Sequence, residues 1–179
     1  VLVPTRELVV QVVEEIEKLA KYISLRVVGV YGGVNLNRHK EAVAQGSDVL
    51  VATPGRLYDL ALSNVLKLKS IQKLVIDEVD VMLDLGFRFQ LLNIFDLLPQ
   101  KRQNIMFSAT MTVDVEELID DYFIAPKKIA IAVSGTPLDN IDQTSYNVPN
   151  FYTKMNLLND LLFDKSEFSK VLVFAPNKR

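Results

Sequence analysis

Three carboxylates fall within four positions at Asp77-Glu78-Val79-Asp80, directly after the apolar run Leu74-Val75-Ile76. Continuous aliphatic and β-branched residues read as a buried parallel strand, and the carboxyl ends of such strands are where open α/β sheets place ligands. An aspartate at a strand end is well placed to hold magnesium, a hard cation that takes carboxylate and water oxygens, and a glutamate beside it can orient a water. The plainer reading of the same residues is a strand that ends in a solvated acidic turn. Nothing in these positions alone separates the two.

Other strand exits carry polar residues of the same kind: Pro4-Thr5-Arg6-Glu7, Thr53-Pro54-Gly55-Arg56 and Ser108-Ala109-Thr110. By itself Thr53-Pro54-Gly55-Arg56 is a common helix start, with proline in the first turn where it is tolerated, and Gly32-Gly33 is a common turn. In a parallel sheet, however, all these exits lie along one edge and converge on one crevice.

The elements that must position them alternate. Residues 1–3 read as a strand exit, and Thr5 as the N-cap of a helix with Val9, Val12, Val13, Ile16, Leu19, Ala20 and Ile23 on its apolar side. Glu14, Glu15 and Glu17 read as its solvated side. A strand over 25–31, a helix over 37–45, a strand over 48–52, a helix from Thr53 through Leu62 and the strand 73–76 follow. Then come a helical region over 79–98 interrupted near Gly86, a strand over 104–107, a helix capped by Thr112, and a strand over 128–133. This rhythm predicts an α/β fold, a doubly wound, mostly parallel sheet with helices on both faces. Residues 1–133 read as part of a first domain. Residues 134–143, rich in glycine, proline and amides, read as a linker. Residues 144–179 start a second domain with a strand (144–148), a helix turning Met155, Leu158, Leu161 and Leu162 inward, and a strand (170–174).

With 179 residues and 49% hydrophobic content the chain can bury a proper core. It has no cysteine, which excludes disulfides, thiolate metal sites and a cysteine nucleophile, and fits a cytoplasmic location. No apolar run approaches the roughly 18 residues of a membrane span, so no membrane partner is expected. Net charge is −2, so nucleic-acid binding must come from local features rather than bulk charge. Ser108 has no triad around it: the single histidine, His39, reads as a surface residue of a polar helix. Met82, Met106, Met111 and Met155 read as core or capping contacts.

Taken in order, the segments resemble the DEAD-box family of ATP-dependent RNA helicases. Pro4-Thr5-Arg6-Glu7-Leu8 resembles motif Ia, Gly32-Gly33 the glycine pair, Thr53-Pro54-Gly55-Arg56 motif Ib, and Asp77-Glu78-Val79-Asp80 motif II. Ser108-Ala109-Thr110 resembles motif III, and Val171-Leu172-Val173-Phe174 the strand of motif IV. Six segments in family order are far more specific than one tetrapeptide.

The resemblance implies a RecA-like fold, ATP and Mg2+ as cofactors, and RNA bound mainly through its sugar-phosphate backbone, without regard to base sequence. It implies that Asp77 holds magnesium through water and that Glu78 positions or deprotonates the attacking water, the two being the catalytic pair. Asp80 would bond towards Ser108 and Thr110 and link the nucleotide and RNA sides. Pro4, Thr5, Arg6, Gly32, Gly33, Thr53, Pro54, Gly55 and Arg56 would form the RNA-binding set. Val79 stands where the family name has alanine; it supplies no ligand, but its bulk must be packed. The chain contains no G-x-x-x-x-G-K-[ST] phosphate loop. These 179 residues are therefore expected to be a fragment of a longer protein, inactive as an ATPase alone, and prone to self-association along an unpaired sheet edge. Two other readings remain: a non-catalytic RNA-binding scaffold derived from such helicases, and a DNA-directed relative.

Overall fold

A computed structural model of the chain describes residues 1–131, 141–163 and 168–175. The chain divides into two compact units, Val1–Thr136 and Pro137–Arg179.

In the first unit, helix α1 (Arg6–Leu19) precedes strand β1 (Val27–Val30), α2 (Leu36–Ala44), β2 (Val49–Ala52) and α3 (Pro54–Leu62). A short 3-10 turn (Leu68–Ser70) leads into β3 (Lys73–Ile76), which is followed by α4 (Val79–Asp84), α5 (Arg88–Leu97), β4 (Gln103–Met106) and α6 (Val113–Tyr122). The caps are local chemistry. Thr5 Oγ1 accepts the Leu8 N–H at 3.3 Å, Asn35 Oδ1 accepts the Asn37 N–H at 2.9 Å, and Thr112 Oγ1 accepts the Val115 N–H at 3.4 Å. Gly86, at φ 81°, makes the break between α4 and α5.

β1 pairs with β2 and β3 with β4, both in parallel. Residues 1–3 are the seam between the pairs, because Leu2 bridges Ala52 on one side and Ile76 on the other, again in parallel. Leu2 N–H donates to Val75 C=O at 2.7 Å and Val3 N–H to Ala52 C=O at 3.0 Å. The order across the sheet is therefore β1, β2, the seam, β3, β4.

The period-2 alternation of a strand then sorts the apolar residues onto two faces. Val3, Val51 and half-buried Val27, Val49 and Tyr31 meet Val9, Val12, Val13 and Ile16 of α1. Leu2, Val28, Val30, Ala52, Leu74 and Ile76 face the other way, into a core completed by Leu57 and Leu60 of α3, Leu91, Ile94 and Phe95 of α5, and Val115 and Leu118 of α6. Helices thus cover both faces, as expected from the alternation. Gly29 lies under α1, where a Cβ would come within 3.0 Å of Val9 Cγ1 and 3.1 Å of Val13 Cγ2. Arg88 ties the start of α5 to α6 by bonds to Asp114 at 2.6 Å and Glu117 at 2.7 Å.

Several expectations fail. The stripe of α1 stops early: Leu19 is 83% exposed and Ile23 lies beyond the helix end. His39 is buried, not on the surface. Of the four methionines only Met82 is fully buried; Met106 packs on the core, whereas Met111 and Met155 are exposed. No strand forms over 128–131, where Ile129 and Ile131 are exposed; residues 132 and 133 lie outside the described residues.

In the second unit α7 (Phe151–Leu161) is capped by Asn150, whose Oδ1 accepts the Thr153 N–H at 2.9 Å. It has no buried residue: Met155 and Leu161 are exposed and Leu158 and Leu162 only half-covered. Residues 144–148 and 170–174 form no strands. A parallel strand exists only by pairing, and among the described residues neither segment has a strand beside it. No helix among the described residues is long and apolar enough to cross a membrane.

Candidate functional site

Because every strand runs the same way, the exits lie along one edge in the order Tyr31-Gly32-Gly33 (β1), Thr53-Pro54-Gly55-Arg56 (β2), Pro4-Thr5-Arg6 (seam), Asp77-Glu78 (β3) and Phe107-Ser108 (β4). The edge has two halves. Glycines, arginines and helix starts occupy one, and the carboxylates with Ser108 and Thr110 occupy the other.

On the carboxylate half, Asp77 is fixed at both ends of its backbone neighbourhood: its N–H donates to Leu2 C=O at 3.0 Å, and its Oδ1 accepts the Glu78 N–H at 3.0 Å. Asp77 is half-buried and Glu78 exposed. Glu78 adopts φ 53°, ψ 50°, the left-handed region that non-glycine residues seldom enter, and this kink starts α4 immediately after the strand. Val79 is fully buried in the core, which accommodates its bulk, and its N–H donates to Phe107 C=O at 3.2 Å. Asp80 is buried and points across to β4. Its Oδ2 accepts the Thr110 N–H at 2.9 Å and the Thr110 hydroxyl at 2.8 Å, while Oδ1 accepts the Val81 N–H at 3.1 Å. Burial pushes the Asp80 carboxyl up, but the bonds from Thr110 and Val81 outweigh it and hold the group below the usual carboxylate range. Ser108 itself donates to Thr110 C=O at 2.6 Å.

On the other half, Pro4 is buried and Thr5 is spent as the cap of α1. Arg6 is exposed, its guanidinium 4.9 Å from the centre of the Tyr31 ring. Thr53 and Pro54 are buried at the start of α3, with Thr53 N–H donating to Val30 C=O at 3.1 Å. Gly32 and Gly33 are exposed, and Gly33 sits at φ 78°. Arg56 turns inwards: its side chain is only 10% exposed. Nη1 lies 2.7 Å from His39 Nδ1, Nη2 donates to Val34 C=O at 2.8 Å, and Nε is 3.9 Å from Asp59 with no hydrogen-bond partner among the described residues.

A sequence profile described as DEAD/DEAH box helicase matches residues 1–118, which hold every one of these exits. The chain belongs to the DEAD/DEAH box helicase family. Its relatives include the ATP-dependent RNA helicase eIF4A of Kluyveromyces lactis, 33% identical over the whole of this chain and 45% of that protein. The ATP-dependent RNA helicase DBP2 of Vanderwaltozyma polyspora is 38% identical over 100% of this chain and 41% of its own length, and RhlB of Shewanella woodyi 34% over 99% and 40%. The chain thus spans less than half the length of these relatives. Among solved structures, the yeast DEAD-box splicing factor Prp28 superposes with a TM-score of 0.72 at 34% identity, over 91% of this chain and 38% of that one. A hypothetical ATP-dependent RNA helicase from Sulfolobus tokodaii gives 0.67 at 32% identity, over 70% of this chain and 38% of that one. The fold of this DEAD/DEAH box helicase chain is accordingly the RecA-like α/β sheet of those structures.

The Oδ2 of Asp77 makes no hydrogen bond among the described residues, so this carboxylate oxygen is one that could take part in holding a cation.

Two residues of the helicase edge escape a reading of strand exits alone: Tyr31, which carries Arg6 on its face and meets His39 edge-on at 5.4 Å and 75°, and His39 itself. The signal for His39 was its spacing, since it lies four positions before buried Val43 and three after Leu36, on the inward side of α2.

Proposed function

We propose that the intact protein is an ATP-dependent RNA helicase that grips the RNA sugar-phosphate backbone along the glycine and arginine half of the edge and couples magnesium-ATP hydrolysis to local duplex separation or RNA-protein remodelling. The observation that carries this is the division of one parallel-sheet edge into a carboxylate half and a backbone-donor half, joined across the seam. Asp77 would hold magnesium, which when bound neutralises charge on phosphate oxygens. Glu78, exposed beside it, would orient and accept a proton from the attacking water. Asp80, anchored on Thr110, would keep the exits of β3 and β4 in fixed relation. Gly32, Gly33 and Gly55 would let backbone N–H groups approach phosphates, with the start of α3 adding partial positive charge. Arg6 is the arginine of the set free to meet a phosphate directly, whereas Arg56 would act by holding the loops.

The test is RNA-stimulated ATP hydrolysis by the intact protein and its Glu78→Gln variant. Loss of most of the RNA-stimulated rate is expected. Equal rates would remove Glu78 from catalysis, and RNA binding with no hydrolysis in either protein would favour the non-catalytic scaffold reading. Stimulation by DNA as strong as by RNA would favour the DNA-directed one.

A further inference from the structure

We propose that His39 is a positioning residue: its neutral imidazole latches Arg56, so that the Gly32-Gly33 turn and the start of α3 are held in register for the RNA backbone, and protonation at Nδ1 opens the latch. The RNA half of this rests on the function proposed above.

A guanidinium only donates hydrogen bonds and stays charged at every accessible pH. The 2.7 Å contact between Arg56 Nη1 and His39 Nδ1 therefore requires a lone pair on Nδ1, with the ring proton on Nε2. Arg56 Nη2 bonds Val34 C=O, the residue after the glycine pair, so one side chain of α3 clasps both α2 and the turn that precedes it. A proton at Nδ1 removes the acceptor and sets a second positive charge against the first.

The surroundings give an imidazolium no support. His39 is 7% exposed; from β1 it meets the edge of the Tyr31 ring, and from α3 it meets Arg56. Arg6 lies over Tyr31, and the nearby carboxylate, Asp59, is paired loosely with Arg56 Nε at 3.9 Å. Burial and the Arg56 charge both hold the imidazole below the ordinary histidine range, in keeping with the neutral tautomer. The latch is therefore closed at neutral pH, and acid opens it.

His39 is the chain's single histidine, so its imidazole nitrogens give one set of signals in a 15N-histidine spectrum of the 179-residue chain. The Nε2–H tautomer and a titration midpoint below about 6.5, the ordinary histidine value, are expected. The Nδ1–H tautomer, or a midpoint at or above that value, would overturn the latch whatever RNA does. The positioning role is read separately, from the affinity of the intact protein for a single-stranded RNA oligonucleotide at fixed salt. His39→Ala should bind about three- to tenfold more weakly near pH 7.5. His39→Asn, whose side-chain oxygen replaces Nδ1, should stay within about twofold of wild type there. About one pH unit below the midpoint read from the spectrum, the wild type should weaken relative to His39→Asn, a change that a merely structural histidine would not produce. Unchanged affinity in His39→Ala, or parallel pH profiles for wild type and His39→Asn, would overturn the positioning role. Absence of RNA binding by the wild type would reject the RNA reading, with the spectrum still deciding the latch.

Discussion

Thr110 donates twice to a single oxygen of Asp80, through its N–H at 2.9 Å and its hydroxyl at 2.8 Å, and so ties the first turn of α4 to the segment leaving β4. Thr110→Val keeps the first bond and deletes the second. A hydrogen bond to a charged group contributes roughly 1.5–3 kcal/mol, and since Thr110 is exposed the lower figure is expected in urea unfolding. The pH dependence has a definite sign. Asp80 is held below its ordinary value when folded, so its contribution is present above about pH 4 and is lost as pH falls through the folded value. Acid unfolding of Thr110→Val should be less steep over that window, because part of what acid removes is already gone.

The left-handed backbone of Glu78 makes its own prediction. Glu78→Gln keeps the conformation and the exposure, so its urea midpoint should match wild type even where hydrolysis is lost. Glu78→Val adds a β-branched carbon at φ 53° and should cost about 1–2 kcal/mol. Glu78→Gly should equal or exceed wild-type stability by up to about 1 kcal/mol. A destabilised Gly variant would show that the kink is not strained.

Much of this edge was legible from the chain alone, because an apolar run followed by polar residues is a local pattern. Val49 to Ala52 followed by Thr53-Pro54, and Leu74 to Ile76 followed by Asp77, place both exits without tertiary knowledge. What lay beyond reach was set by contacts distant in sequence. His39 looked polar and external because Arg56, its partner, is in another helix. The segments 128–131, 144–148 and 170–174 have strand-like composition but no neighbouring strand among the described residues, and strand formation is decided by the neighbour.

The glycines separate fold from function. A Cβ at Gly55 would meet only Phe87 Cε1, at 3.8 Å, and one at Gly32 would meet nothing within 4 Å. Gly55→Ala and Gly32→Ala should therefore melt like wild type while weakening RNA binding. Gly29→Ala should do the reverse, losing about 1–3 kcal/mol as α1 is pushed off the sheet. Thermal melts and RNA titrations of the three variants check this; a Gly55→Ala variant with normal RNA affinity would remove the close-approach role.

β4 pairs with β3 on one side, and no described strand pairs with its other side. Ile105, 37% exposed, and Phe107 lie along it. Such an edge is a template for another strand. The 179-residue chain should show a concentration-dependent rise in sedimentation coefficient, and Ile105→Lys should reduce it. A chain that stays monomeric at high concentration would contradict this.

Seen as a mechanical object, the sheet has a joint at its centre. β2 and β3 never touch by backbone; Leu2 and its neighbours are spliced between them, with Asp77 N–H and Val75 C=O on one flank and Ala52 on the other. Any displacement passed through the backbone of the sheet from the Thr53 exit to the Asp77 exit crosses this splice. Its stiffness would then set how faithfully movement of one half is delivered to the other.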